Sequence, residues 1–295
     1  MTISRYEIFH SVVELGSLTK AAENLNLTQS GISHAIASLE TELGFSLLTR
    51  DRAGVTLTTN GELILKYVRE TLQCNDRLRQ KVAEIKGIQI GTVRIGTFTS
   101  VSSQWLPGII KGFQSQYPMI EIKLFEGDYD DINRWIANGT VDFGFVSLPV
   151  TQAFEFVPLK KDKLVCVLPK DHALQQQDKI TFDQIKSEAF IMPKWGTHGD
   201  VRRILLENNL KPHIKYEVVE DQAIVAMVKN GLGISILPEM VLLNNTRDIQ
   251  VMNLEKTAHR TIGIALVSMQ KISPAAKKFV TCIRSWLNSQ KLLDF

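Results

Sequence analysis

From Thr92 onwards, short runs of β-forming residues alternate with segments of helical periodicity. The runs include VRIGTF, EIKLFEG, DFGFVSL and IGIALV, and the segments between them include WLPGIIKGFQSQYP and DVRRILLENNL. Strands that alternate with helices favour βαβ units, so we expect an α/β fold with a largely parallel sheet. The stretch is long enough for two α/β lobes rather than one.

The first 58 residues have a different pattern, which predicts a mainly α-helical domain. Helical periodicity is interrupted at Gly16 and at Asn26, and Thr28 has the character of an N-cap for a third helix that ends at Gly44. The expected buried face of that helix is Ile32, Ile36, Leu39 and Leu43. The run RDRAGVTLT then predicts a small β-hairpin.

Two short helices joined by a tight turn, with small residues at Ala21 and Ala22, describe a helix-turn-helix. In that motif the start of the second helix enters the DNA major groove, where short polar side chains can reach base edges. The predicted DNA contacts are Ser17, Thr28, Gln29, Ser30, Ser33 and His34, with Arg50 and Arg52 of the hairpin on phosphates. A helical hairpin used for protein docking would show the same pattern.

Charge gives the nucleic-acid hypothesis no support. Residues 1–58 contain four basic and six acidic side chains, a net charge of −2, and the whole chain carries +3. DNA-binding domains are usually basic, so the hypothesis depends on where individual side chains point.

Residues 59–88 read as one long helix without proline. Its spacings of three and four define a heptad seam, which predicts pairing with a second copy of the helix. The seam residues are Ile64, Val68, Thr71, Asn75, Leu78, Val82 and Ile85. Packing of this helix on the C-terminal domain of the same chain is the alternative.

The run FHSVVELGSLTKAAENLNLTQSGISHAIASLETELGFSLLTRDRAGVTLTTNG resembles the N-terminal region of LysR-type transcriptional regulators. The resemblance implies a winged helix-turn-helix (1–58), a linker and dimerisation helix (59–88) and a two-lobed effector-binding domain (89–295). The last is similar to type II periplasmic binding proteins, with lobe I at about 89–161 and 266–295 and lobe II at about 162–265. It also implies a homodimer and commonly a homotetramer. Gly31 and His34 depart from the more frequent residues of the family.

An effector site is expected beyond the carboxyl ends of the strands. Thr99, Ser100 and Ser102 follow the first strand at a helix start, where free amides favour an anion. The resemblance adds later loops, and the full predicted set is Thr99, Ser100, Ser102, Gly127, Ser147, Pro193, Trp195 and Thr197. Simple helix capping is the alternative for each hydroxyl, and Trp195 could instead cover the lobe interface.

Nothing in the sequence favours catalysis, a metal or a cofactor. Asp128, Asp130 and Asp131 head a helix, where acids stabilise the dipole. The six histidines and three cysteines lack metal-ligand spacing, and no nucleophile elbow, P-loop or dinucleotide motif is present.

The absence of a visible signal peptide and of a long apolar run predicts a cytoplasmic protein. Taken together, these patterns predict a sequence-specific regulator that binds double-stranded DNA and responds to a small-molecule effector. A solute-binding protein with the helix-turn-helix as a docking module is the main alternative, and an enzyme on the same α/β scaffold is the second.

Overall fold

The computed structural model describes residues 5–51, 54–150, 152–194, 199–243 and 246–295. The chain divides into two compact units. Unit 1 comprises Met1–Gly91 with Asn138–Thr140, and unit 2 comprises Thr92–Ala137 with Val141–Phe295. None of the helices in the described ranges combines the length and apolarity that a membrane span requires.

Unit 1 is a three-helix domain with a two-stranded wing and a long fourth helix. Its elements are α1 (Arg5–Leu15), α2 (Leu18–Leu25), α3 (Gln29–Leu43), β1 (Leu48–Asp51), β2 (Gly54–Leu57) and α4 (Thr59–Ile85). The core joins all three short helices, with Phe9, Ala21, Ile32, Ile36 and Leu39 almost completely buried. The predicted inward face of α3 is therefore confirmed.

Local side-chain chemistry sets the helix boundaries. The side chains of Ser17 and Thr28 each accept a backbone N–H of the following turn, which caps α2 and α3. Asn26 (φ 53°) and Gly44 (φ 81°) end these helices in the left-handed conformation. The boundaries predicted from the sequence at Asn26, Thr28 and Gly44 are confirmed.

The wing is held in place by α3 and by the α1–α2 turn. Oε1 of Glu40 accepts the backbone N–H of Leu47 at 2.7 Å and that of Leu48 at 3.2 Å. The N–H of Val55 donates to the carbonyl of Gly16 at 3.3 Å. These bonds fix the start of β1 relative to α3 and β2 relative to the α1–α2 turn.

The dimer seam predicted on α4 needs correction at its beginning. Val68 is only 3% exposed because it packs in the core of unit 1, and Ile64 is half-buried against the same core. A side chain covered by its own unit has little surface left for a partner. The role of the other predicted seam residues stays a prediction.

The exposed stripe of α4 instead begins with Leu63 (65% exposed) and Tyr67 (63% exposed). It continues through Leu78, Val82 and Ile85, which are also exposed. These positions lie on one side of an ideal helix. The apolar face that a partner could cover is thus shifted by one residue at its N-terminal end.

Unit 2 contains the strands and helices that the alternation predicted, together with further short elements. Its strands are β3 (Gly91–Thr97), β4 (Ile120–Glu126), β5 (Phe143–Ser147), β6 (Glu155–Pro169), β7 (Lys179–Ile180), β8 (Ala189–Pro193), β9 (His213–Val218), β10 (Ser235–Pro238) and β11 (Ile249–Leu266). Its helices are α5 (Thr99–Gln104), α6 (Leu106–Gln116), α7 (Tyr129–Ala137), α8 (Phe182–Ser187), α9 (Asp200–Glu207), α10 (Asp221–Lys229), α11 (Glu239–Leu242) and α12 (Pro274–Ser289).

The expectation of a largely parallel sheet is wrong for the middle of unit 2. The sheet has the order β10-β6-β11-β5-β3-β4, with β7 beside β11. β6 and β11 are 15 and 18 residues long and pair antiparallel, as do β10 with β6 and β11 with β5. Parallel pairing is found for β3 with β5, β11 with β7 and β8 with β9.

The two long strands connect two lobes with separate cores. Lobe I buries a cluster that includes Phe98, Trp105 and Phe145. Lobe II has two clusters, one containing Cys166 and the other containing Val165. Successive residues of a strand point to opposite faces, so these two neighbours on β6 supply one side chain to each cluster.

We predict that Gly61→Ala destabilises unit 1, because an added Cβ would lie 2.1 Å from the carbonyl oxygen of Leu47. Relief of that clash requires a backbone shift, so we expect a loss of about 1–3 kcal/mol. Gly112→Ala in α6 is the control, since nothing lies within 4 Å of its added Cβ. Chemical denaturation of the full chain measures both, and equal stability of the two variants would contradict this packing.

Candidate functional site

The start of α3 presents short polar side chains to solvent. Gln29, Ser30 and His34 are exposed and Ser33 is half-buried, while Ile32 faces the core. The hydroxyls of Thr28 and Ser30 are 3.2 Å apart, next to the amides of the first turn. The structure therefore brings five of the predicted DNA contacts together at one helix start.

The other predicted DNA contacts lie outside this cluster. Ser17 caps α2, where its hydroxyl accepts the N–H of Lys20 at 3.3 Å. Arg50 belongs to β1, opposite Val55, and its side chain lies outside the described residues. Arg52 lies outside them entirely. The DNA contact of Ser17 and the phosphate contacts of Arg50 and Arg52 stay predictions.

Three of the six acidic side chains of residues 1–58 form ion pairs with arginines. Glu14 pairs with Arg69 at 2.6 Å and Glu7 with Arg79 at 3.4 Å, which joins α1 to α4. In addition, Glu42 pairs with Arg5 at 2.7 Å, and Glu40 binds the two wing amides described above. The negative net charge of residues 1–58 is thus offset within the unit and does not by itself exclude DNA.

A second cluster lies in unit 2, where the long strands pass from one lobe to the other. The guanidinium of Arg260 on β11 binds Oδ2 of Asp162 on β6, with Nε at 2.8 Å and Nη2 at 2.7 Å. Both side chains are at most 5% exposed. The N–H of Met240 donates to Oδ1 of Asp162 at 3.1 Å. A buried ion pair needs such additional hydrogen bonds to offset its desolvation.

Arg260 also reaches three residues of lobe I. Its Nη2 donates to Oγ of Ser100 at 2.8 Å, and its Nη1 donates to Oη of Tyr129 at 3.3 Å. The guanidinium carbon lies 5.2 Å from the ring centroid of Phe98, within cation–π distance. Arg260 therefore connects the strand crossing to the starts of α5 and α7.

A carboxylate of lobe II completes the cluster. Asp200 begins α9 and is only 7% exposed. Oη of Tyr129 donates to its Oδ2 at 3.0 Å, and Oγ of Ser147 donates to its Oδ1 at 2.8 Å. Nη2 of Arg203, one turn further along α9, lies 3.6 Å from Oδ1 of Asp200. Both hydroxyl donors belong to lobe I, so Asp200 bonds the two lobes together.

Charge and burial act together on the ionisable groups of this cluster. Burial raises the pKa of Tyr129 far above its usual value, and the Asp200 carboxylate raises it further. Burial alone would lower the pKa of Arg260, but Tyr129, Asp162 and Asp200 outweigh it and raise that pKa. Tyr129 is therefore a neutral hydrogen-bond donor and Arg260 a cation throughout the physiological pH range.

The cluster lines a cavity that is partly open to solvent. Its charged lining consists of Asp200, Arg202, Asp221 and Arg260. Phe98, Leu237 and Pro238 form part of its apolar wall. A cavity with apolar walls and a few converging polar groups is typical of a small-molecule site.

The predicted effector residues are distributed unevenly around this cavity. Ser100 and Pro193 line it, and Ser147 lies behind it through its bond to Asp200. Oγ of Ser102 lies 3.2 Å from the hydroxyl of Thr97, a bond between two side chains and not a helix cap. Thr99 and Gly127 are not part of the lining, and Trp195 and Thr197 lie outside the described residues. Their contact with an effector stays a prediction.

No sequence pattern indicated four residues of the cleft cluster, namely Arg260, Asp162, Asp200 and Tyr129. Their charges and hydroxyl looked like ordinary surface chemistry, because their partners are distant in sequence. The acidic residues predicted to stabilise the helix dipole do lie at the start of α7, where Oδ1 of Asp128 also accepts the N–H of Asp131 at 2.8 Å. Within the described ranges, no group of three or more His, Cys, Asp or Glu residues is placed to hold a metal ion.

Comparison with protein families gives two matches that together span most of the chain. The model described as "Bacterial regulatory helix-turn-helix protein, lysR family" matches residues 3–62. The model described as "LysR substrate binding domain" matches residues 87–288. The second match covers more than half of the chain and includes every residue of the cleft cluster.

Individual proteins agree with these matches. The HTH-type transcriptional regulator YvbU of Bacillus subtilis (strain 168) is 33% identical over 283 residues, which are 95% of this chain and 97% of YvbU. A full-length variant of OxyR from Pseudomonas aeruginosa has the same fold, with a TM-score of 0.75 at 21% identity over 96% of this chain and 98% of OxyR. The effector binding domain of QuiR in complex with shikimate has a TM-score of 0.62 at 25% identity, over 68% of this chain and 99% of that domain.

We predict that Tyr129→Phe destabilises unit 2, because it removes a donor to Asp200 and an acceptor for Arg260. Leaving buried partners unsatisfied should lower the free energy of unfolding by about 1–3 kcal/mol. Tyr216→Phe on β9 of the same unit is the control and should be near neutral, because a phenylalanine ring keeps the contact with the Lys215 ammonium. Calorimetry of the full chain compares them, and an unchanged unfolding transition for Tyr129→Phe would contradict a structural role of its hydroxyl.

Proposed function

The chain belongs to the LysR family of bacterial transcriptional regulators, and on that premise we propose that α3 reads operator DNA while the cleft beside Arg260 takes the effector. The observation that carries the first half is the exposed helix start formed by Gln29, Ser30 and His34. A surface helix normally carries long charged residues there, which would hold the backbone away from base edges.

The chemistry of this helix start suits base recognition. The amide of Gln29 can bond bidentately to adenine, and the hydroxyls of Ser30 and Ser33 can donate to or accept from either kind of edge. Exposed Ala37, further along α3, can contact a thymine methyl group. Arg50 and Arg52 of the wing are the proposed phosphate contacts, together with the amides at the helix starts.

A pair of chains is needed to read a complete operator. The exposed apolar stripe of α4 begins at Leu63 and Tyr67 and ends at Ile85, along a helix of 27 residues. Two such helices can bury these stripes against each other. A twofold pair of DNA-binding units then requires a dyad-symmetric site, because the symmetry of the protein dictates that of its half-sites.

The effector site is proposed in the cleft for two reasons. The cavity combines apolar walls with the converging polar groups of Ser100, Asp200 and Arg260. The QuiR domain, which holds shikimate in its structure, aligns with this unit of the chain. An effector regulates only if it binds one arrangement of the lobes more tightly than the other, so we place it where groups of both lobes meet.

The proposal for α3 predicts that Gln29→Ala relaxes base preference. Duplexes selected from a randomised library by the variant should lose preference at one position of each half-site, since one bidentate contact is worth about 1–3 kcal/mol of discrimination. Its salt dependence should stay unchanged, because no phosphate contact is lost. Gln114→Ala on the exposed face of α6 should select the same sequences as the unchanged protein.

A uniform loss of affinity for every sequence, with all base preferences retained, would contradict base reading by Gln29. Identical selections by Gln29→Ala and Gln114→Ala would contradict it as well.

The proposal for α4 predicts that Leu78→Asp combined with Ile85→Asp dissociates the pair. Both side chains are exposed within one chain, at 64% and 77%, so the substitutions should leave the monomer fold intact. Sedimentation should show a lower mass, because charges would be buried in the paired stripe. Lys66→Asp, on another face of α4, is the control. An unchanged mass for the double variant would exclude this stripe as the interface.

A further inference from the structure

Asp200 occupies an unusual position for an acid of lobe II. Each of its two carboxylate oxygens accepts a hydrogen bond from a different hydroxyl of lobe I, one from Tyr129 and one from Ser147. The side chain is 7% exposed and lines the cavity. Lobe I thus holds a carboxylate at a site that has two converging donors.

The hydroxyl protons of Tyr129 and Ser147 are both already donated in hydrogen bonds. A hydroxyl has a single proton to donate. Tyr129 donates its proton to Asp200 while accepting from Arg260, and Ser147 donates its proton to the other oxygen. Another acceptor can bind these two hydroxyls only if Asp200 leaves them.

We propose that Asp200 is an internal carboxylate ligand that holds the lobes together, and that the effector is a small carboxylic acid whose carboxylate displaces it. This inference rests on the proposed function of the cleft as the effector site. The exchange preserves both the charge and the number of acceptors beside Tyr129 and Ser147. A carboxylate is therefore the ligand class that keeps every buried donor satisfied after Asp200 has left.

Charge in the cluster favours the same ligand class. Arg203 lies 3.6 Å from Oδ1 of Asp200, and Arg260 donates to the Tyr129 hydroxyl that binds Oδ2. If Asp200 moved out without replacement, the cleft beside Arg203 and Tyr129 would lose one negative charge, while Arg203 would keep Glu207 and Arg260 would keep Asp162. A neutral or cationic ligand would leave that imbalance uncorrected, whereas a carboxylate corrects it.

Displacement of Asp200 gives a physical basis for regulation. Its two hydrogen bonds join α9 of lobe II to β5 and α7 of lobe I. A free carboxylate satisfies the lobe I hydroxyls without a covalent connection to lobe II. Binding therefore releases these two hydrogen bonds between the lobes and shifts the population of their arrangements.

The test removes the internal ligand and supplies a free one. In the full-length Asp200→Ala variant, acetate should bind saturably and raise the unfolding temperature, because the deletion frees the two donors and the space of a carboxylate. The unchanged protein should bind acetate at least about tenfold more weakly, since its tethered carboxylate competes at a high effective concentration. Calorimetric titration at constant ionic strength measures both affinities.

Two controls separate this site from general anion binding. Acetamide has the shape of acetate without its charge and should bind neither protein. Adding Ser147→Ala to Asp200→Ala removes one of the two donors and should weaken acetate binding at least about tenfold, the range of an unsatisfied or lost charged hydrogen bond. Asp200→Asn keeps the space filled and should resemble the unchanged protein in its weak response to acetate.

Equal acetate affinities of the Asp200→Ala and unchanged proteins would overturn the proposal, as would equal binding of acetamide. If Asp200→Ala does not fold without acetate but folds with it, the proposal is supported. If it folds in neither condition, Asp200→Ser with formate, which is one carbon shorter, decides in the same way. Operator selection by the unchanged protein measures the proposed function separately. If the unchanged protein binds specific DNA but Asp200→Ala neither binds acetate nor is stabilised by it, only this inference is refuted.

Discussion

The buried contact between Arg260 and Asp162 is the interaction on which the cleft of unit 2 depends. It joins the two long strands where the chain passes between lobes. Removal of either partner would leave an uncompensated charge in the interior, a change that typically costs about 3–5 kcal/mol. The same guanidinium orients Ser100 and Tyr129, and Tyr129 in turn binds Asp200. The cleft is therefore organised outward from one buried cation.

Elements governed by neighbouring residues could be predicted from the sequence. The caps at Thr28 and Gly44 and the buried face of α3 follow from residue types within one or two turns. β6 and β11 could not be predicted as long antiparallel strands, because charged residues at 160–163 and 255–260 interrupt their apolar runs. Those interruptions lie where the strands cross between the lobes. Arg260 is there, 98 residues from Asp162, and no local pattern connects such a pair.

Unit 1 illustrates the difference between net charge and the placement of charge. Its acids looked unfavourable for DNA binding, yet Glu7 and Glu14 are paired with arginines of α4, which lie beyond the segment that carries the helix-turn-helix pattern. The heptad seam was misplaced at Val68 for a related reason. One helix face serves both the core of its own unit and a surface for a partner, and spacing alone does not separate the two.

The central proposal is that this chain is a regulator that binds dyad-symmetric DNA sites through contacts that begin at α3. Its most direct test is a selection of genomic DNA fragments by the purified protein at physiological salt, followed by footprinting of the recovered fragments. We expect a few recovered sites, each with two protected half-sites related by a dyad and centred about one helical turn or a multiple of it apart. Recovery of nothing above background by the folded protein would contradict it, and would favour the cleft as the primary function with the helix-turn-helix as a docking module.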